Sequence, residues 1–153
     1  MPTHHKGPEE EKLALDLTIK LARAAQALAN LVMCDVVAAG VSPSQFGVLD
    51  ALYHLGPLTL GDVAKKHLKS PNNITSVVDT MERSGLVVRR RCDKDRRVIY
   101  VDITPKGREI FSQLWPGHVK RLVKATAALS PKEQATLAEL CKKLGASLPC
   151  EED

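Results

Sequence analysis

Between Arg89 and Arg97 the chain carries six basic side chains (Arg89, Arg90, Arg91, Lys94, Arg96 and Arg97) against two acidic ones, Asp93 and Asp95. That surplus of four within nine residues equals the formal net charge of the whole 153-residue chain, +4. Positive charge this dense repels itself and costs stability unless something negative lies against it. Five of the six are arginine, whose planar guanidinium suits phosphates and narrow minor grooves better than an ammonium does. A run of charge is often only a solvated surface, but this density and arginine bias favour contact with nucleic acid.

A second cluster lies just upstream. From Pro71 to Ser84, helical spacing turns Ile74, Val77, Val78 and Met81 to one inward face. The opposite face carries Asn72, Asn73, Thr75, Ser76, Asp79, Thr80 and Arg83. An ordinary solvated face would be richer in Glu and Lys. Asn can pair with adenine, and Ser or Thr can reach base edges or phosphates. These residues gather at the N-terminal end, where Ser70 caps, Pro71 takes the first position and free backbone N–H groups favour phosphate. The candidate DNA contacts are therefore Ser70, Asn72, Asn73, Thr75, Ser76 and Arg83 on this helix, with Arg89, Arg91, Arg96 and Arg97 beyond it.

The surrounding pattern says what must hold these residues. Residues 1–8 read as a disordered tail. Leu13, Leu17, Leu21, Ala24, Leu28, Leu31 and Val32 mark one long helix from Glu9 to Ala39, stopped by Gly40. Ser42-Pro43 starts the next, striped with Phe46, Leu49, Leu52 and Tyr53 and ended by Gly56-Pro57. Leu58 to Leu60 form a short apolar stretch; Thr59 and Asp62 resemble a capping box before a short helix burying Val63, Ala64 and Leu68. After Gly85 the period changes to that of strands: Leu86–Arg91 and Arg97–Ile103 predict a hairpin with a charged tip. Thr104-Pro105 opens a helix to about Ala128, kinked at Pro116. Ser130-Pro131-x-Glu133 opens the last, which Gly145 ends near Leu144. The expected fold is mainly α with a small β-hairpin wing: four helices, a hairpin, then two helices, a winged helix-turn-helix.

The residues resemble the multiple antibiotic resistance regulator (MarR) family. Ser70-Pro71-Asn72-Asn73-Ile74-Thr75-Ser76-Val77-Val78-Asp79, then Met81-Glu82-Arg83-Ser84-Gly85-Leu86-Val87, is similar to that family's recognition helix. Asp95-Arg96-Arg97 and Val101-Asp102-Ile103-Thr104-Pro105-Lys106-Gly107 resemble its wing and the start of its next helix; Ser44-Gln45-Phe46-Gly47-Val48-Leu49 resembles its second helix. The resemblance runs from about residue 10 to 147. Met81 stands where the family usually has Leu, a conservative exchange, and Pro71 is tolerated in a first turn. The resemblance implies a homodimer on a pseudo-palindromic operator, usually a repressor, with Arg97 entering the minor groove and Asp95 orienting the wing-tip arginine. It also implies a small aromatic effector in a cleft between dimer and DNA-binding regions, for which Tyr53, Phe111, Trp115 and His118 are candidates; scattered aromatics are otherwise core.

The expected domain spans residues 9–147, with a DNA-binding lobe over about 42–104, dimerisation helices over about 9–39 and 105–147, and a loose tail at 148–153. Leu13, Leu17, Leu21, Leu114, Leu122, Val123, Leu137, Leu140 and Leu144 exceed what so small a lobe can cover and are candidates for a shared dimer core. The chain is 44% hydrophobic but only 3% aromatic, which favours packed helices over a β-sandwich. No apolar run of membrane length occurs, and the polar start is unlike a signal peptide, so a cytoplasmic protein is expected. Cys34, Cys92, Cys141 and Cys150 have neither zinc nor disulfide spacing, and no metal or cofactor is expected. Cys92 beside Arg91 leaves redox sensing as an alternative, since positive charge favours thiolate. Another is a non-specific nucleic-acid binder, though such proteins lean on stacking aromatics. Enzyme motifs such as a Gly-rich phosphate loop, His-Glu-x-x-His or Gly-x-Ser-x-Gly are missing, so no enzyme is expected.

Overall fold

The computed structural model describes residues 5–67, 71–93, 95 and 97–148, without the side chains of His67, Pro71 and Asn72. Among them run α1 (Glu9–Val32), α2 (Cys34–Ala38), α3 (Pro43–Leu55), β1 (Leu58–Thr59), α4 (Leu60–His67), α5 (Pro71–Arg83), β2 (Val87–Arg91), β3 (Ile99–Ile103), α6 (Pro105–Ala125) and α7 (Pro131–Ser147). Leu68 and the outer tails, 1–4 and 149–153, lie outside the described residues.

Capping chemistry starts the helices as the sequence predicts. Ser42 accepts the Gln45 N–H at 3.2 Å while the Gln45 side chain accepts the Ser42 N–H at 2.9 Å. Ser130 and Glu133 repeat this exchange at 3.4 and 2.8 Å. Thr59 accepts the Asp62 N–H at 3.1 Å, and its hydroxyl donates to the Asp62 carboxylate at 2.7 Å.

Several features differ from the sequence reading. The long first helix breaks at Met33, because the buried His118 ring reaches the Val32 carbonyl: Nδ1 lies 3.2 Å from that oxygen and, as the protonated tautomer, donates to it. A side chain inserted at the hydrogen-bond ladder is an ordinary cause of a break. The sheet has three strands rather than two, in the order β1-β3-β2, with Leu58 opposite Val101 and Thr59 opposite Tyr100. Gly145 does not end α7, which continues to Ser147. In addition, α6 is shorter than expected, ending at Ala125, and runs unbroken through Pro116. Ser112, which loses its partner N–H there, is exposed, so water can satisfy its carbonyl.

One core joins α2, α3, α4, α5, the sheet and α6. Leu49, Leu52, Ile74, Val78, Met81, Val101 and Phe111 are fully buried in it. Every residue of α7 is exposed, and α1 buries only Val32.

Candidate DNA-binding surface

The recognition helix is anchored from inside and from its C-terminal end. Ile74, Val78 and Met81 at 0% exposure fix its inner face. Its end is closed by Gly85 N–H to Glu82 O (2.9 Å) and Leu86 N–H to Met81 O (2.9 Å), with Gly85 at φ +71°. This pair of bonds is a Schellman closure, which needs a residue in the left-handed region. The start of α6 then grips the turn. The Thr104 hydroxyl donates to Gly85 O at 2.6 Å, the Lys106 ammonium to Ser84 O at 2.8 Å, and the Thr104 N–H to Leu86 O at 3.1 Å. Gly107 comes so close to the Leu86 carbonyl that no Cβ would fit.

With α5 held so, Asn73, Thr75, Ser76, Asp79, Thr80 and Arg83 are all exposed along its outer side, as expected. Arg83 lies back along its own helix, Nη2 at 3.4 Å from the Thr80 hydroxyl. Asn72 lies on α5, but its side chain is outside the description, as are Ser70 and Arg96 altogether.

On the wing, Asp95 accepts both the backbone N–H of Arg97 at 3.0 Å and its Nε–H at 3.2 Å. These bonds hold the Asp95 carboxyl below its usual range, the backbone one foremost. The Arg97 Nη2–H also donates to Asp95, at 3.4 Å, so the carboxylate holds the guanidinium while the side chain stays 91% exposed. Arg91 is exposed, and Arg90 faces Asp102 across the sheet at 3.7 Å.

Arg89 behaves differently from its neighbours. Nη2 donates to Asp79 and Nη1 to Glu82, both at 2.6 Å, and its backbone N–H donates to Glu82 at 3.0 Å. Its side chain is only 22% exposed. Sequence reasoning placed Arg89 among the open basic residues and left Asp79 and Glu82 out of the candidate set. The available signal was the i, i+3 spacing of the two carboxylates, which puts them on one side of a helix.

The Arg89 N–H and guanidinium lower the Glu82 pKa from its usual value near 4.5. A carboxyl depressed on folding adds stability that is fully present above its unfolded pKa and is lost as pH falls through the folded one. Thermal melts of wild type and Glu82→Gln should therefore differ most above the unfolded value near 4.5 and converge as the pH falls below it through the lowered folded value. A gap that stays constant across that range would show that the carboxylate charge contributes nothing.

The four effector candidates do come together. Tyr53 and Trp115 flank Phe111 at ring distances of 4.7 and 5.2 Å, and His118 lies 5.8 Å beyond Trp115. Phe46 and His54 complete the group, and the Arg108 guanidinium lies 5.1 Å over the Tyr53 ring. Phe111 is fully buried, so the inner part of this stack is core, while His54 and Arg108 reach the surface. Cys34, Cys92 and Cys141 are free thiols. No helix among the described residues is long and apolar enough to cross a membrane.

A buried helix-turn-helix with an exposed polar recognition face, flanked by an arginine-tipped wing, defines a winged-helix transcription regulator. The sequence model described as "MarR family" matches residues 41–99. The chain is 36% identical over 137 residues to the uncharacterized HTH-type transcriptional regulator YkoM of Bacillus subtilis, covering 90% of this chain and 89% of that one. It is 32% identical over 132 residues to the HTH-type transcriptional regulator MhqR of the same organism, covering 86% and 91%. A mutant MarR from Escherichia coli, crystallised with operator DNA, superposes with a TM-score of 0.77 at 25% identity, covering 87% of this chain and 94% of that one. This chain belongs to the MarR family of helix-turn-helix transcription regulators, and these relatives are not enzymes.

Proposed function

We propose that the protein is a cytoplasmic repressor that binds a pseudo-palindromic operator as a homodimer, setting α5 of each protomer in a major groove and each wing in the adjacent minor groove. The observation that carries this reading is the wing tip. Arg97 is oriented by Asp95 yet 91% exposed, alongside a recognition face whose Asn73, Thr75 and Ser76 are exposed. Such a tip suits a narrow, electronegative minor groove, and such a helix suits base edges. Two copies related by a two-fold axis would meet half-sites about one helical turn, ~10 bp, apart. Asn72, Arg83, Arg91, Ser70 and Arg96 belong to the same proposed surface. A small aromatic effector acting at Tyr53, Phe111, Trp115 and His118 would wedge between α3 and α6 and shift the lobe against the terminal helices.

Selection of duplexes from a random-sequence pool, followed by titration at two salt concentrations, tests the reading. An enriched pseudo-palindrome bound ~10³-fold or more above unselected DNA supports it. Equal affinity for all duplexes would make the protein a non-specific binder. Arg97→Ala should weaken binding to the enriched duplex about tenfold and reduce the slope of log affinity against log salt by about one per wing. Unchanged binding at matched salt would overturn the role of the wing.

A further inference from the structure

We propose that Arg89 is a positioning residue: held between Asp79 and Glu82, it fixes the recognition helix against the wing and so sets sequence preference without itself touching DNA. This rests on the function proposed above.

Three donors of one arginine are spent on two carboxylates that lie about one turn apart on α5. A single bond would restrain the outer side of the helix at one point only. Two bonds at i and i+3, joined by one rigid guanidinium fork, restrain it at two. Its backbone N–H belongs to β2, so the same interaction fixes strand as well as helix. The turn between them is gripped from the other side by Thr104 and Lys106. The orientation of α5 is thus set from two directions.

Charge and exposure argue the same way. Asp79, Glu82 and Arg89 together carry a net negative charge, so the group offers phosphate nothing. Arg89 is 22% exposed, whereas the side chains of Arg90 and Arg97 are 69% and 91% exposed. Arg90 and Arg97 each meet one carboxylate yet keep most of the side chain exposed, as a residue that neutralises phosphate must.

The test uses carboxamide variants, because the two models then predict opposite signs. Asp79→Asn and Glu82→Gln each remove a negative charge near the DNA-binding face. If charge alone matters, both should bind every duplex more tightly. If Arg89 positions the helix, each should bind the selected duplex about tenfold more weakly while binding unselected DNA equally or better. Arg89→Lys keeps the charge but loses the fork, and should fall in the same direction. Asp79→Asn leaves both Glu82 bonds in place, and an unchanged far-UV spectrum and oligomeric state would confirm its fold. Preserved discrimination in all three variants would overturn the proposal. So would an Arg89→Ala that weakens both duplexes equally and lowers the salt slope by about one per bound phosphate, which would make Arg89 a phosphate contact. A wild type that prefers no sequence overturns the proposed function, and this inference with it. A discriminating wild type with equally discriminating variants overturns the inference alone.

Discussion

Gly107→Ala should destabilise the protein by about 1–2 kcal/mol, despite placing a better helix former in a helix. An added Cβ would run into the Leu86 carbonyl oxygen and lie within about 3 Å of the Ile103 side chain. Both neighbours are immobile. Leu86 O accepts the Thr104 N–H at 3.1 Å, and Ile103 is buried at 7% exposure. Overpacking against such partners costs about 1–3 kcal/mol, occasionally more, while the gain in helix propensity returns about 1 kcal/mol at most. Backbone contact sets the sign, because no rotamer change can relieve it. Gly145→Ala supplies the control: that glycine is also helical, and a Cβ there meets nothing within 4 Å. It should be neutral or stabilise by up to about 1 kcal/mol. Urea unfolding of both variants decides the matter through the midpoint at constant slope. A stabilised Gly107→Ala would mean that α6 is not seated on the α5–β2 turn. Because that turn sets the recognition helix relative to the wing, the variant should also discriminate poorly between selected and unselected DNA at temperatures where it stays folded.

The sequence announced most elements through local chemistry, and what it hid was non-local. The caps at Ser42 and Ser130 involve partners three residues away, so they can be read from a short window. The inward stripe of Ile74, Val78 and Met81 is equally local, and all three are fully buried. By contrast, β1 is only two residues long and exists because Leu58 and Thr59 meet Val101 and Tyr100 some forty positions on. No alternation can show in two residues. The break at Met33 comes from His118, 86 residues away in sequence from the Val32 carbonyl it meets. Next to it, α2 and α6 share the Asp35–Arg121 ion pair, at 2.5 and 2.6 Å, which sequence spacing could not reveal. Within the candidate site, the basic run was plain but its division of labour was not. Arg89 and Arg97 have the same composition-level signature, yet one is clamped by two carboxylates at 22% exposure and the other meets one carboxylate and stays 91% exposed. Composition reports charge, and only packing reports which charge is available.

The largest effect on DNA binding should come from a residue far from the proposed DNA surface. Leu140→Asp should convert the protein to monomers and reduce affinity for the selected duplex by ~10²-fold or more, since a monomer loses the gain from joining two half-sites. The reason lies in α7. Its 17 residues are all exposed, yet Leu137, Leu140 and Leu144 form an apolar stripe at 45%, 58% and 37% exposure. In proteins most helical stability comes from packing an apolar face rather than from propensity, so this stripe calls for a partner surface. Leu13, Leu17 and Val123, at 64%, 57% and 66%, leave matching apolar surface on α1 and α6. A second copy of the chain offers both halves at once, and each leucine fully buried there would contribute about 1.5–3 kcal/mol. An aspartate in place of Leu140 would have to be desolvated without a partner, which reverses the sign of that contribution. The core that joins α2, α3, α4, α5, the sheet and α6 does not include α7, so its unfolding should change little. Ala135→Asp introduces the same charge on the opposite side of the helix and should leave both assembly and binding near wild type. Sedimentation equilibrium with parallel DNA titration separates the outcomes. A Leu140→Asp protein that stays dimeric and binds normally would mean that α7 is not part of the interface. Monomers that keep full affinity would mean that one protomer suffices for the operator.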